Sequence, residues 1–343
     1  MGRADVGPDP RCWRTPGLRA DGFQRPPGIL SILMSDSPAA ATPYEVLGVD
    51  ASSSQDDLRK AYRRLARETH PDLGGTPERF RQVQIAWERI GTPEDRARYD
   101  SGTARPRSSA SSEGSGHTWA PRPPRPRAES KPRARAFGHP GGQERVRFLE
   151  LMREWVGRGE PLDDPYDPAL VRSAPSEIRR ILAKAVAEET TATAVVDLGI
   201  AYTIWSNVAC GREPELDHIV LAPTGLYAIN SEDWGSSVRL VKGEIETANL
   251  VAGEQPVRTL TRSARAFEKS SRVPFTAQLI VVPDEALDDP IEPAGKGRRN
   301  STFLVRRSVL PHVLRGALTG GESTDRVDVF ELRDRLQQAV RFV

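Results

Sequence analysis

Cysteine is nearly absent. The 343-residue chain has two, Cys12 and Cys210, far apart in sequence. That excludes a disulfide framework and a zinc-ligand cluster, and it points to a reducing, cytoplasmic setting. Long hydrophobic runs are also missing. The short apolar patch Gly28-Ile29-Leu30-Ser31-Ile32-Leu33 is too short for a membrane-spanning helix and lacks a signal-peptide pattern. Charge of one sign is not in excess. Lys and Arg number 49 against 47 Asp and Glu, so the chain as a whole is no obvious nucleic-acid binder. There is no glycine-rich phosphate loop and no cysteine-repeat module, and no cofactor or metal is expected from the sequence alone.

What is present is unevenly distributed. The length has room for two ordinary domains. Residues 1–41 are rich in Arg, Gly and Pro without periodicity and read as a disordered N-terminal segment. Met34-Ser35-Asp36-Ser37-Pro38 looks like a fresh start, so Met34 is the expected true N-terminus. Residues 42–101 carry helical patterning. Residues 102–142 are a Ser, Gly, Pro and Arg arm that cannot bury enough apolar surface to offset its ordering entropy. It contains Pro121-Arg122-Pro123-Pro124-Arg125-Pro126-Arg127. Two roles stay open for the arm. It is a semi-rigid spacer, or a basic tether to nucleic acid or another acidic partner, with Trp119 available for stacking. From residue 143 to 343 the composition is globular.

Within residues 42–101, Leu58, Ala61, Tyr62, Leu65 and Ala66 recur at spacings of three and four, one face of a helix. Arg59, Lys60, Arg63, Arg64 and Arg67 fill the opposite face. Ser54 with Asp57 three residues on reads as a helix start, and Pro71 ends the helix. A second stripe runs through Phe80, Val83, Ala86, Trp87 and Ile90. Thr-Pro pairs at 42–43, 76–77 and 92–93 mark three further helix starts. Four helices follow, the long pair antiparallel and joined by a loop from His70 to Thr76.

These residues resemble DnaJ-type J-domains. The resemblance rests on Pro43-Tyr44-Glu45-Val46-Leu47-Gly48-Val49, on the basic second helix, on His70-Pro71-Asp72, and on Arg96-Ala97-Arg98-Tyr99-Asp100. Glu68 stands where the family often has a base, and Thr69 where an aromatic is common. The resemblance implies docking on a DnaK-type chaperone. Arg59, Lys60, Arg63 and Arg64 would meet an acidic surface, and His70, Pro71 and Asp72 would trigger ATP hydrolysis. Electrostatics fit that role, because a compact positive face steers an acidic partner and raises its on-rate.

The second domain mixes periods. Helical stripes lie at Val146 to Val156 and at Ile178 to Val186. Strand-like runs follow at 201–208, 217–222, 226–230, 238–241, 277–282 and 302–305. Helices are expected near 258–269, 309–318 and 327–342. The pattern predicts an α/β domain with a mixed sheet flanked by helices. The hairpin Glu215-Leu216-Asp217-His218-Ile219-Val220-Leu221-Ala222-Pro223-Thr224-Gly225-Leu226-Tyr227-Ala228-Ile229 resembles nuclease-related (NERD) domains of the restriction-endonuclease-like fold, from about residue 175 onward.

That family's chemistry needs an Asp on one strand and Glu-x-Lys on the next, two carboxylates for a divalent cation and a lysine near the attacking water. Asp217 fills the first position. Asn230 stands at the Glu position and Glu232 at the Lys position. Glu188 or Glu189 is available as a replacement carboxylate, whereas the lysine has no counterpart, Lys242 lying too far along. His218 faces away from Asp217 along the strand, and Cys210 reads as an inert thiol. A J-domain co-chaperone with a pseudo-nuclease targeting module is therefore expected. The alternatives are a metal-dependent nuclease regulated by its J-domain and a non-catalytic nucleic-acid adaptor.

Overall fold

The computed structural model describes residues 37–101, 119–121, 132–157, 159, 161–295, 301–318 and 329–343. The expected start at Met34, most of the basic arm and residues 296–300 lie outside the described residues.

Residues 43–100 form the expected helical unit. Its helices are α1 (Pro43–Leu47), α2 (Gln55–Glu68), α3 (Pro77–Ile90) and α4 (Pro93–Asp100), with a single 3-10 turn at Pro71–Leu73 between the long pair. Each helix starts on a side-chain cap. Thr42 and Glu45 cap α1 reciprocally, and the hydroxyls of Ser54, Thr76 and Thr92 accept from backbone N–H groups three residues on. The stripes interlock as Leu58, Ala61, Val83, Ala86, Ile90, Tyr44 and Leu47, all buried. Tyr62 stacks on Trp87 at 4.6 Å. The Tyr44 hydroxyl donates to Asp100 and accepts from Arg96, which fastens α4 across α1.

In the C-terminal unit, seven strands form one mixed sheet among the described residues. They are β1 (Arg135–Phe137), β2 (Thr203–Cys210), β3 (Glu213–Ala222), β4 (Gly225–Ser231), β7 (Ala277–Val282), β8 (Ile291–Ala294) and β9 (Thr302–Arg306), in the spatial order β1-β2-β3-β4-β7-β9-β8. The β2-β3-β4 meander is antiparallel, and β7 and β9 continue parallel to β4. Between β4 and β7, β5 (Val238–Val241) and β6 (Glu244–Thr247) make a separate hairpin. The strand expected at 238–241 therefore exists but does not enter the main sheet.

Alternation along β4 shows how the sheet is clothed. Leu226 and Ala228 face helix α8 (Pro256–Ser271) and helix α9 (Val329–Ala339) through Leu260, Ala264, Phe267 and Leu336. Tyr227 and Ile229 face the other layer, with Val195 of the long helix α7 (Ser176–Val196) and Leu310, Val313 and Leu314. A satellite core joins α7 to α5 (Gly142–Val156) and α6 (Pro168–Ser173). No described helix is long and apolar enough to cross a membrane.

Two features correct the expected boundary at residue 143. Arg135–Phe137, inside the presumed arm, pairs in parallel with Thr203–Trp205 as the edge strand of the sheet. Trp119 is buried against Phe148, Met152, Val171, Ile178 and Leu182, and its carbonyl accepts from Arg145 at 2.5 Å. An indole surrounded in this way is a core residue and has no face left for stacking on bases.

Candidate functional sites

The first site lies on the helical unit. Arg59, Lys60, Arg63 and Arg64 are all exposed along α2. Among the described residues, Arg59, Lys60 and Arg64 pair with acids of their own helix, Asp56, Asp57 and Glu68, at 3.4–3.9 Å. Such exposed pairs are weak, so the face stays available to a stronger acidic partner. His70 caps the 3-10 turn. Its Nδ1 accepts from the Asp72 N–H at 3.2 Å, and its carbonyl accepts from Leu73 and Gly75. The imidazole edge meets Phe80 of α3 at 5.1 Å. Gly74 follows at φ +88°, a left-handed position that a side chain would strain. The loop is thus stiffened from both ends, while Pro71 and Asp72 stand exposed, the Asp72 side chain at 88 %. Structure brings every residue of the expected docking set onto this helix and its adjoining loop.

The second site lies where α7 crosses the ends of β3 and β4, beside a cleft of about 1020 Å³. Asp217 is buried on β3, with Oδ2 accepting from the Ser231 N–H at 2.6 Å. Asn230 lines the cleft, and its Oδ1 accepts a long bond from the Asp217 N–H at 3.4 Å. Glu232 stands at the exit of β4, anchored by its N–H on the Val281 carbonyl. Glu188 is buried on α7, with Oε2 accepting from the Gly141 N–H. Glu189 does not join them. It turns to Arg145 in a bidentate pair at 2.7 and 2.9 Å.

The sequence reading missed Lys184. From α7 its ammonium donates to Asp217 Oδ2 at 2.5 Å, Glu232 Oε1 at 2.8 Å and the Ser231 carbonyl at 3.0 Å, with Glu188 at 4.0 Å. The expectation of a site without lysine is therefore corrected: the cation comes from a helix rather than from β4. The available signal was local. Lys184 and Glu188 are one helical turn apart on the same face.

Electrostatics follow from this crowding. Burial pushes Glu188 up to about 9, and the Asp217 charge adds to it, so Glu188 holds its proton at neutral pH. Burial also raises Glu144, Glu215 and Glu232. Burial works against the Lys184 ammonium, yet Asp217, Glu232 and Glu188 outweigh it and hold the lysine well above its usual range. His218 points away, its Nδ1 3.0 Å from the Ser206 hydroxyl, and burial lowers it to about 4. Cys210 is a buried free thiol, pushed up to about 11 by burial, which leaves it unreactive at neutral pH.

A divalent cation does not fit this arrangement. The point where Asp217, Glu232 and the Ser231 carbonyl converge is filled by the ammonium of Lys184. Among the described residues, no three His, Cys, Asp or Glu side chains converge as metal ligands.

Known proteins match the two units separately. Residues 42–100 match the family model described as the DnaJ domain, and residues 183–283 the model of the nuclease-related domain. A DnaJ protein homolog from Cucumis sativus is 53 % identical over 57 residues, 17 % of this chain and 14 % of that protein. A chaperone protein DnaJ from Rippkaea orientalis is 50 % identical over 60 residues, 17 % of this chain and 16 % of that protein. The match thus spans about a sixth of the length of these relatives. The chain carries a J-domain followed by a nuclease-related α/β domain.

Proposed function

We propose that the protein is a co-chaperone whose J-domain docks on a DnaK-type chaperone and stimulates its ATPase, and whose C-terminal domain binds or targets without cutting. The observation that carries this is the exposure of Arg59, Lys60, Arg63, Arg64, Pro71 and Asp72 together, around a loop stiffened through His70. Docking places the positive face of α2 on an acidic surface, and the Asp72 carboxylate reaches a cation of the partner. The few cysteines and the free thiol of Cys210 suit the cytoplasm. Stimulation of a DnaK-type ATPase by the full chain, lost in His70→Gln with the helical circular dichroism unchanged, is the expected result. Wild-type stimulation by that variant would refute the mechanism.

Lys184 supports the non-catalytic reading of the second domain, since it sits where a metal would have to bind. One observation favours the rival: Asp217, Glu232 and Lys184 together restore two carboxylates and a lysine, the residue types of a metal-dependent nuclease. Lys184→Met separates the two. If Lys184 substitutes for the metal, the wild-type chain shows no Mn²⁺ binding by calorimetry and the variant gains it. If the lysine is catalytic, the wild type binds Mn²⁺ and cleaves DNA or RNA, and the variant binds but does not cleave.

A further inference from the structure

Helix α7 and the exit of β4 each present two faces. One bears Lys184 and Glu232 and closes the floor of the cleft. The other bears Arg179 and Gly235, with Asp233 at the border of the cleft, and meets the segment that leads into the J-domain. Arg179 is 2 % exposed. Its Nη2 pairs with Glu45 of α1 at 2.6 Å, its Nη1 donates to the Ala40 carbonyl at 2.6 Å, and its Nε donates to Ala174 of its own domain. Asp233 accepts from the Ser37 hydroxyl at 2.9 Å, and Asn249 donates to the Ala39 carbonyl at 3.3 Å.

Gly235 is an independent sign of the same contact. It lies at φ +64°, and a Cβ there would fall 2.3 Å from the backbone of Ala39 and Ala40. Only glycine lets the two backbones approach so closely. A second anchor lies at α4, where the Arg172 guanidinium stacks over the Tyr99 ring at 5.1 Å. Arg179, Pro38 and Ala39 are buried at the centre of this contact, while Glu45 stays half-exposed at its edge. The J-domain side of the grip comes from residues 37–45, from Tyr99 and, through a 3.7 Å ion pair with Arg239 of β5, from Glu78 at the start of α3. None of the gripping residues belongs to the basic face of α2 or to the His70–Asp72 loop.

We infer that the C-terminal domain is a mount for its own J-domain. Arg179, Asp233 and Gly235 hold residues 37–45 and fix the J-domain in one orientation, with its chaperone-facing residues uncovered. The chaperone is then recruited at a set position relative to the cleft, and a molecule bound in the cleft is presented to it in a defined geometry. That consequence rests on the co-chaperone reading; the grip itself does not.

Hydrogen exchange on the full chain tests the grip without any chaperone. In the wild type the amides of residues 38–48 that are hydrogen-bonded exchange slowly. Arg179→Ala and, separately, Gly235→Ala speed them by about tenfold or more, the loss expected of one charge-assisted hydrogen bond. Exchange in β7 stays slow in both, which shows the sheet still folded, and small-angle scattering gives a larger maximum dimension for both. Unprotected amides at 38–48 in the wild type would overturn the proposal. So would unchanged exchange and dimension in both variants. Both variants retain ATPase stimulation, because the docking face is untouched. Loss of stimulation would overturn the assignment of the grip to the side away from the chaperone. His70→Gln keeps the grip, so a failed chaperone assay and a failed mount are told apart.

Discussion

The J-domain and the cleft of the second domain solve opposite problems with charge. On α2, like charges stand in a row in water, and Arg59, Lys60 and Arg64 are loosely paired with acids of their own helix. Their field is long-ranged and screened by salt. In the cleft, carboxylates from α7, β3 and the exit of β4 crowd around Lys184, with Asp217 and Glu232 in direct contact with its ammonium. Their interactions are short-ranged and set by geometry. An exposed charge array is fit for finding a partner and contributes little to the fold. A packed one contributes to the fold and tolerates little change.

Changes in the two regions sharpen this contrast. The largest stability effect is expected at Lys184. Lys184→Ala strands Asp217 and Glu232 without their cation and costs about 3–5 kcal/mol in urea unfolding. Adding Asp217→Asn to it returns part of that loss. A loss below 1 kcal/mol would make the cleft as loosely coupled as the surface of α2. In the J-domain, stability lies in the apolar seam, so Leu58→Ala costs roughly 2–5 kcal/mol of that domain's stability by thermal melting. Arg63→Ala leaves melting within about 0.5 kcal/mol of the wild type. It slows association with the chaperone at low salt, and the difference fades as salt is raised.

One further effect is a slope with pH. Glu188 carries its proton in the folded chain up to about pH 9 and loses it near the ordinary carboxylate value when unfolded. Its contribution is fully present below about pH 4.5 and is lost as pH rises through 9. Glu188→Gln therefore flattens the fall of melting temperature between pH 5 and 9. Parallel slopes in the two proteins would show that Glu188 is ionised in the fold.

Legibility follows the same divide. In residues 42–100 every determinant is local: caps three residues apart, stripes at helical spacing, and a loop closed by proline and glycine. The order of helices, the core seam and the exposed basic face of α2 could all be read directly. The cleft is assembled across the fold. Asp217 was found because β3 and β4 form a tight hairpin with a recognisable pattern. Lys184 was overlooked because it reaches the site from another element, and only the crossing of α7 over the strand ends brings it there. β1 escaped notice for a different reason. Three residues in a Pro and Arg context have no period, and their strand character is conferred by the exposed edge of β2.

The inclusion of Arg135–Phe137 in the sheet moves the point at which the chain enters the C-terminal domain. The last helix of the J-domain ends at Asp100, Trp119 is already part of the C-terminal core, and β1 belongs to its sheet. The two domains are therefore separated by fewer residues than the composition of the arm implies. Contact between modules joined by one short stretch of chain is intramolecular, at an effective concentration on the order of millimolar. A grip too weak to join two separate chains is then enough to hold the two domains of this one together.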